Sequence, residues 1–185
     1  MAQAPRTRDV VLREAARLFA ERGFRGTSVA DLGTACGISG PALYKHFPNK
    51  QAVLARLLVD ISQQLVDGGR AVVVAGGEPS DVLAALVDFH TDFALAEPDV
   101  IRVQDRDLAS LDDPDRRIVR TLQRTYVELW TDVLCRVDPH LSREAARLRA
   151  HAVFGLLNST PHSASRSRGE AARQLSGMAL RALVG

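Results

Sequence analysis

Most of the polar chemistry at the N-terminal end of this sequence lies in residues 37–50, GISGPALYKHFPNK. Tyr44, Lys45, His46 and Lys50 fall within seven residues of one another. Phenol, ammonium and imidazole groups bind anions and hydrogen-bond acceptors. The stretch is therefore a candidate for contact with a polyanion, and the alternative is an ordinary polar helix face.

The charge distribution also indicates the N-terminal end of the chain as the candidate for contact with a polyanion. The formal net charge is only +2, but residues 1–50 hold eight Lys or Arg against four Asp or Glu, and the remaining residues hold sixteen against eighteen. A basic segment can present one face to a polyanion. A solvated surface explains the same numbers, so charge alone does not decide between these interpretations.

Composition restricts the class of protein. With 185 residues, 46% hydrophobic and 25% charged, the chain has the composition of an ordinary globular protein. No apolar run approaches the roughly 20 residues needed to cross a bilayer, and the N-terminus shows no apolar core of a signal peptide. Two widely separated cysteines, Cys36 and Cys135, agree with a reducing compartment. We expect a cytoplasmic protein.

Sequence signatures of enzymes and metal sites are missing. Neither cysteine has an evident histidine partner, the histidines show no metal-ligand spacing, and no G-x-S-x-G or glycine-rich phosphate loop follows a strand pattern. Ser39 in GISGP superficially resembles a nucleophile turn, but no strand pattern precedes it. The sequence therefore predicts a protein that is not an enzyme and carries no cofactor.

The helices that position the polar stretch have clear start and stop signals. An amphipathic first helix ends at a glycine, a threonine caps a second helix from Ser28 to about Ala35, and a serine caps a third that runs to about Phe47. These signals are, in order, Gly23, Thr27, Gly37, Ser39, Pro41 in the first turn of the third helix, Pro48 and Asn49. Two short helices joined by a tight glycine turn predict a helix-turn-helix, whose second helix enters the major groove of DNA.

The third helix has one apolar side. Leu43 and Phe47 lie four residues apart and would hold this helix on the core. The residues left to face outward are Pro41, Ala42, Tyr44, Lys45 and His46.

At these residues the sequence resembles the TetR family of bacterial transcriptional regulators. The similarity extends from about residue 8 to residue 55 and includes FRGTSVADLGTACGISGPALYKHFPNKQAVL. The residues at the family's spacing are Gly23, Phe24, Thr27, Gly37, Leu43, Tyr44, Phe47, Asn49 and Lys50. The resemblance implies a homodimeric, usually repressing regulator, with a variable ligand-binding domain and a ligand that changes the separation of two DNA-reading heads.

The resemblance also implies roles for individual residues. Phosphate contacts would come from Thr27, Tyr44, His46 and Lys50, and base-edge contacts from Ser39, Gly40, Pro41, Ala42 and Lys45. Because Gly40 and Ala42 carry no hydrogen-bonding group, Lys45 is the main candidate for a polar base contact. Arg6 and Arg8 could reach the minor groove, and a disordered basic terminus is the alternative.

The remaining sequence predicts helices only. We divide the chain into a DNA-binding domain, residues 1–50, and a helical ligand-binding and dimerisation domain, residues 51–185. The expected helices are Gln51 to about Val66 with a stop at Gly68 and Gly69, Asp81–Ala96 behind a Ser80 cap, Val100–Leu108, Asp115–Val137, a helix from Ser142 to about Asn158, and Glu170–Val184. The prediction is an all-α protein of about nine helices.

The last two helices carry small and leucine side chains at helical spacing. These are Ala145, Leu148, Ala152 and Leu156, followed by Ala172, Leu175, Ala179 and Leu183. The resemblance implies that this pair of helices forms a four-helix bundle in a homodimer. Packing inside one monomer is the alternative.

Aromatic residues of the C-terminal domain indicate a candidate ligand pocket. Phe89 and Phe93 share one helix face, as do Tyr126 and Trp130. With Phe154 they could surround a mainly apolar ligand, which His90, Asn158 and Arg102 could orient. Ordinary core packing is the alternative for the rings, and solvated ion pairing is the alternative for Arg102, Asp105 and Arg106.

Two hypotheses about function follow. The first is a ligand-responsive repressor that binds a palindromic DNA operator as a homodimer and is released by a small, mainly apolar ligand such as an acyl-thioester or a fatty acid. The second is a helical ligand-binding or interaction protein whose helix-turn-helix does not read specific DNA. Gly40 and Ala42, which have no hydrogen-bonding side chains, keep the second hypothesis open.

Overall fold

The computed structural model describes residues 7–160 and 167–185, and across these ranges it contains helices and no strands. The helices α1 to α9 are, in order, Thr7–Arg22, Val29–Ala35, Gly40–Tyr44, Lys50–Ala75, Pro79–Ala96, Pro98–Asp107, Asp113–Val137, Arg143–Leu157 and Arg168–Val184, with a 3₁₀ turn at Leu108–Ser110. The predicted all-α class is confirmed. Within the described ranges, every helix is too short or too polar to cross a membrane.

Two glycines end the first two helices as the sequence predicts. Gly23 and Gly37 have φ angles of 81° and 65°, in the left-handed region that favours glycine. The N–H of Gly23 donates to the carbonyl oxygen of Phe19 at 2.8 Å, which closes the last turn of α1.

The cap of α2 is Ser28, so the predicted Thr27 cap is wrong. The Ser28 hydroxyl accepts from the N–H of Asp31 at 3.0 Å, and the Asp31 carboxylate accepts from the N–H of Ser28 at 2.8 Å. Together these bonds form a capping box. Thr27 instead lies one residue outside the helix and is buried.

Helix α3 is shorter than predicted. Its Ser39 cap is confirmed, but the helix ends at Tyr44 and the predicted end at Phe47 is three residues too late. The segment from Lys45 to Asn49 then turns the chain into α4, where the Asn49 carboxamide oxygen accepts from the N–H of Ala52 at 2.8 Å. The predicted Asn49 cap is therefore confirmed.

Helix α4 continues through Gly68 and Gly69 to Ala75, so the predicted stop at these glycines is wrong. Both glycines lie beneath aromatic rings. A Cβ atom on Gly68 would lie 2.2 Å from Cζ of Phe89, and one on Gly69 would lie 2.7 Å from Cε2 of Tyr126. The glycines therefore make room for two rings inside an unbroken helix.

We expect Gly69→Ala to lower the free energy of unfolding, although alanine is the better helix former by about 1 kcal/mol. The Tyr126 ring cannot shift easily, because it is buried and its hydroxyl bonds to His90. Overpacking at such a site costs about 1 to 3 kcal/mol. Urea denaturation measures the change, and Ala71→Gly at an exposed position of the same helix calibrates helix propensity. A more stable Gly69→Ala protein would contradict this packing.

Helix α5 begins earlier than predicted. Its first residue is Pro79, and its N-cap is Glu78, which makes no side-chain capping bond. Ser80 lies inside the helix, so the predicted Ser80 cap is wrong. The fixed φ angle of proline suits the first turn of a helix, which explains the earlier start. At α8 the predicted Ser142 cap is confirmed, since its hydroxyl accepts from the N–H of Ala145 at 3.2 Å.

The described residues form two compact units. The first contains residues up to Ile61 together with Asp99–Val119, and the second contains Ser62–Pro98 together with residues from Arg120 onward. The first unit thus includes α6 besides the predicted helix-turn-helix. The domain boundary after residue 50 stays a prediction.

In the first unit, α6 is bonded to the C-terminal end of α1. The Arg106 guanidinium donates to the carbonyl oxygens of Phe19 and Ala20, at 3.2 Å for Ala20. The buried carboxylate of Asp107 accepts from Arg106 at 3.1 Å and from the N–H of Phe24 at 3.2 Å. Arg106 therefore forms an ion pair, as the alternative interpretation of this charged run predicts, and it also bonds to another helix.

Candidate nucleic-acid interface and ligand site

Helix α3 and the turn that follows it present polar side chains to solvent because two apolar side chains hold their other side against the core. Leu43 and Phe47 are each 2% exposed. Tyr44, Lys45 and His46 are exposed, and Tyr44 reaches 53% although it carries an aromatic ring. An exposed ring followed by two exposed basic side chains can contact a polyanion.

The N-terminal end of α3 carries small side chains and is accessible to a large partner. Ser39 and Pro41 are exposed, and Gly40 and Ala42 are partly exposed. The Ser39 hydroxyl accepts from the N–H of Ala42 at 3.4 Å. A Cβ atom on Gly40 would meet no other group within 4 Å, so the fold itself does not require glycine there. A bare backbone at this point allows close approach of a large partner.

Thr27 and Lys50 point their polar groups into the protein. The Thr27 side chain is 1% exposed and its hydroxyl donates to the carbonyl oxygen of Gly23 at 2.9 Å. The Lys50 ammonium donates to the carbonyl oxygens of Phe24 and Thr27, at 2.6 and 2.5 Å, and lies 4.4 Å from the centre of the Phe24 ring. Both side chains fix the turn between α1 and α2, and their contact with phosphate stays a prediction.

Of the predicted basic arm, Arg6 lies outside the described residues. Arg8 belongs to the first turn of α1, and its guanidinium carbon lies 5.0 Å from the centre of the Phe47 ring. This cation–π contact places Arg8 beside the segment that follows α3. A role in the minor groove stays a prediction.

The second unit brings most of the predicted ligand-binding residues together around His90. The ring of His90 lies within 6.1 Å, centre to centre, of four other rings: Phe93, Tyr126, Trp130 and Phe154. Nδ1 of His90 is 3.3 Å from the Tyr126 hydroxyl, and Nε2 is 3.1 Å from Oδ1 of Asn158. We call these six residues the aromatic cluster.

Burial sets the ionisation of the aromatic cluster. It lowers the pKa of His90 to about 4, with a small opposing effect of the Asn158 bond, so the imidazole is neutral at pH 7. Burial also raises the pKa of the Tyr126 phenol, and the Trp130 indole partly offsets that rise. Nevertheless Nε1 of Trp130 makes no hydrogen bond of normal geometry with any described residue.

Phe89 and Phe93 line a groove of about 470 Å³ beside the aromatic cluster. Its other lining residues are Gln64, Leu65, Asp92, Ala96, Glu97 and Arg168. The Arg168 guanidinium also donates to the carbonyl oxygen of Asp92 at 3.4 Å. Arg102, the predicted partner of an anionic group, belongs to α6 in the first unit and pairs with Asp99 at 3.7 Å. Its role in ligand binding stays a prediction.

The predicted apolar face of α9 is buried in the monomer, whereas part of the predicted face of α8 is exposed. On α9, Leu175, Ala179 and Leu183 pack in the core of the monomer, as the alternative predicts. On α8, Leu148 is 70% exposed and Ala152 is exposed. Met178, on another side of α9, is 40% exposed, which leaves apolar surface on both helices. Met178 is absent from the sequence-based face.

The described part of the chain contains no cluster of side chains suited to bind a metal ion. Between residues 7 and 160 and from 167 to 185, no group of three or more His, Cys, Asp or Glu side chains is arranged to hold a metal ion.

Comparison with known proteins connects this geometry to one family. Residues 11–57 match the model described as "Bacterial regulatory proteins, tetR family", and residues 76–183 match "Tetracyclin repressor-like, C-terminal domain". The second match covers more than half of the chain.

Among individual relatives, the HTH-type transcriptional repressor KstR2 of Rhodococcus jostii strain RHA1 is 31% identical over 121 residues. That alignment covers 65% of this chain and 59% of the repressor, so the chain matches about six tenths of that relative's length.

Solved structures share the fold over almost the whole chain. A TetR-family transcriptional regulator from Bordetella parapertussis 12822 has a TM-score of 0.84 at 26% identity, with 94% of this chain and 93% of that one covered. The regulator AibR, solved with isovaleryl coenzyme A and operator DNA, has a TM-score of 0.78 at 18% identity, with 94% and 97% covered. At this lower identity, the similarity to AibR shows a shared fold and nothing more.

Proposed function

Since this chain belongs to the TetR family of bacterial regulatory proteins, which are DNA-binding transcriptional regulators and not enzymes, we propose that it is a cytoplasmic homodimeric repressor. In this proposal the dimer binds a palindromic operator and a small, mainly apolar ligand releases it. The observation that carries the proposal is the exposed polar surface of α3 and the turn after it, held in place by buried Leu43 and Phe47.

The proposed DNA contacts are of two kinds, contacts to phosphates and contacts to bases. Tyr44 and His46 contact phosphates, and the first turn of α4, which Lys50 begins, offers backbone N–H groups to a phosphate. Lys45 donates to a base edge, while Pro41 and Ala42 contact a thymine methyl group. Gly40 and Ser39 allow the backbone to approach the groove. Thr27 supports the turn from inside.

Salt dependence tests DNA binding itself. A protein that neutralises several phosphates should lose affinity for duplex DNA by orders of magnitude between about 50 and 200 mM salt. Fluorescence anisotropy with a labelled duplex measures this loss. Absence of binding at low salt would favour the alternative, a helical ligand-binding protein whose helix-turn-helix does not read DNA.

Lys45→Ala and Tyr44→Ala form a matched pair of neighbouring exposed positions. We expect Lys45→Ala to weaken operator binding by about 1 to 3 kcal/mol and to relax the preference at one base pair, because a base contact is lost. Tyr44→Ala should weaken binding to all sequences alike, because it removes a phosphate contact. Binding to the operator and its single-base variants measures both. An unchanged base preference in Lys45→Ala would contradict its role.

The proposed dimer uses the exposed apolar side chains of α8 and α9. Leu148, Ala152 and Gly155 on α8 are exposed, and Met178 on α9 is 40% exposed. A Cβ atom on Gly155 would meet nothing within 4 Å in the monomer, so a partner helix can approach closely there. Exposed apolar surface of this kind favours protein association.

We expect Leu148→Arg to raise the dimer dissociation constant about tenfold or more, because a charge would be buried at the centre of the proposed interface. Sedimentation velocity over a range of concentrations measures the association. Val74→Arg is the matched control, since Val74 is 85% exposed on α4, a helix that is not part of the proposed interface. Equal association of the Leu148→Arg and wild-type proteins would exclude this interface.

The proposed ligand is mainly apolar, because the rings of Phe89 and Phe93 line the groove of about 470 Å³. Arg168, which lines the same groove, would bind an anionic group of this ligand. The role of Arg102 in ligand binding stays a prediction. The AibR structure, which contains isovaleryl coenzyme A, supports an acyl-thioester as one candidate for this chain, and a fatty acid is another.

A further inference from the structure

Several exposed arginines on the helices of this chain have an acidic partner one helical turn away. Arg17 pairs with Glu21 at 3.1 Å, and Arg56 pairs with Asp60 at 2.6 Å. Such pairs stabilise a helix, whereas two like charges at the same spacing destabilise it. Two exposed arginines that have only each other at this spacing therefore call for an explanation.

Arg120 and Arg124 of α7 are two such arginines. Both are exposed, and neither guanidinium has a hydrogen-bonding or ion-pair partner within residues 7–160 and 167–185. No acidic residue stands three or four positions from Arg120 in the sequence. The two positive charges thus lie one turn apart on the same helix without a negative charge between them.

Glu128 follows Arg124 by four residues and would be its ordinary partner, but the Glu128 carboxylate is directed to α8. One of its oxygens accepts from Arg147 at 2.8 Å and the other accepts from Arg143 at 2.8 Å. The hydrogen bonds from Arg147 and Arg143 hold the pKa of Glu128 below its ordinary value, so the carboxylate stays charged. It is already shared by two arginines, which leaves the charge of Arg124 uncompensated.

A groove of about 490 Å³ lies between α7 and α8 at these side chains. Its lining residues are Arg120, Gln123, Arg124, Val127 and Glu128 from α7, with Arg147 and His151 from α8. Three arginines against one glutamate give the groove a formal net charge of +2, with the histidine counted as neutral. The volume is in the range of small-molecule sites. No lining residue is shared with the groove at Phe89 and Phe93.

The chemistry of this groove favours an anion with more than one charge. A guanidinium presents N–H groups in a planar fork that matches the oxygens of a phosphate. Arg120 and Arg124 begin about 6 Å apart along the axis of α7, since a helix rises about 1.5 Å per residue. Two linked phosphate groups can therefore each face one guanidinium, and together they neutralise both charges.

We propose that the groove between α7 and α8 binds a ligand with a diphosphate group, and that Arg120 and Arg124 each bind one of the two phosphates. Gln123 and His151 line the same groove and supply hydrogen bonds to the remaining oxygens. This site goes beyond the proposed function, because it takes a different class of ligand and uses other residues than the groove at Phe89 and Phe93.

Isothermal titration calorimetry of the full chain, free of DNA and of divalent cations, tests the proposal. Inorganic pyrophosphate is the first probe, and sulfate at equal ionic strength is its control. We expect one pyrophosphate per chain, bound about tenfold or more tighter than sulfate, because it engages both guanidinium groups. Absence of pyrophosphate binding, or equal binding of sulfate, would overturn the proposal.

ADP as a second probe distinguishes two sources of the diphosphate. Tighter binding of ADP than of pyrophosphate would show that the site takes an organic diphosphate. Equal or weaker binding of ADP, with pyrophosphate bound, would show that the site takes free pyrophosphate.

Substitutions locate the site. Arg120→Gln with Arg124→Gln removes two charges from exposed positions of α7 and leaves the exposed side chains of α8 and α9 unchanged. Arg13→Gln with Arg25→Gln is the matched control, since it removes the same charge from exposed positions outside the groove.

The first double variant should weaken pyrophosphate binding about tenfold or more, and the control should leave it unchanged. Urea denaturation should show no loss of stability in the first variant, because it relieves a repulsion between like charges. Equal pyrophosphate affinity of the two double variants would overturn the proposal, since binding would then depend on overall charge or on the exposed basic side chains near α3.

Discussion

Between pH 7 and pH 4, the wild-type protein should lose about 3 kcal/mol more of its free energy of unfolding than a His90→Gln variant. The folded protein holds the pKa of His90 at about 4, below the ordinary value of 6.5. Between these two pH values the unfolded chain binds a proton that the folded protein does not. The stability is therefore fully present above pH 6.5 and is lost as the pH falls to 4.

Urea denaturation at a series of pH values measures this difference. The variant keeps every carboxylate of the chain, so subtracting its pH profile removes their contribution and leaves that of His90. At pH 7 the variant should be the less stable protein, because Tyr126 and Asn158 lose a matched partner. Parallel profiles for the two proteins from pH 7 to pH 4 would show that His90 is not buried in its neutral form.

Asp107→Ala should lower the free energy of unfolding by about 2 to 3 kcal/mol. The substitution removes the acceptor of the Phe24 N–H and of the Arg106 guanidinium. The Phe24 N–H is left as an unsatisfied, partly buried donor, which accounts for most of the destabilisation. The lost bond to Arg106 contributes less, because the Arg106 side chain is 45% exposed and keeps its carbonyl partners. The end of α1 and the turn that leads to α2 should loosen.

Thermal or urea denaturation of Asp107→Ala, compared with Asp67→Ala, tests this expectation. Asp67 is also paired with an arginine, but its side chain is 60% exposed, and we expect its removal to cost less than about 0.5 kcal/mol. Hydrogen exchange should show faster exchange of the Phe24 amide in Asp107→Ala alone. Equal stability of the two variants would mean that Asp107 does not hold α6 to α1.

The sequence predicts the helix-turn-helix well because its signals are local. Gly23, Gly37, Ser39 and Asn49 each act through their own backbone conformation or through a bond to a residue three or four positions away. Such signals are visible without knowledge of the rest of the fold. Even so, Thr27 and Ser28 are adjacent potential caps, and only the burial of Thr27 shows that Ser28 is the cap.

Contacts between residues far apart in the sequence explain why some predictions about the helices failed. Gly68 and Gly69 resemble a helix stop, and only the rings of Phe89 and Tyr126, which follow much later in the chain, show why glycine is tolerated within α4. The bonds of Arg106 to α1 span more than 80 residues, and the sequence offers no signal for them beyond a cluster of charges. Long-range packing of this kind overrides local propensity.

The candidate ligand site was partly predictable. Helical spacing placed Phe89 with Phe93 and Tyr126 with Trp130, and the structure brings the predicted His90, Phe154 and Asn158 beside the second pair. Spacing could not show how the Trp130 indole is oriented against Tyr126 and Phe154, since that depends on the geometry of every neighbour. It also could not show that Arg168 lines the groove, because no motif marks that arginine.

Selection of DNA from a pool of random duplexes, with sequencing of what the purified protein retains, tests whether the protein binds a specific operator. We expect a palindrome whose half-sites lie about one helical turn apart, since a symmetric dimer places two α3 helices in successive major grooves. Lys45→Ala protein selected in parallel should return the same palindrome with one relaxed position in each half-site. Recovery of no sequence above background, from ligand-free protein at low salt, would contradict specific DNA binding and favour the alternative, a helical protein whose helix-turn-helix does not read DNA.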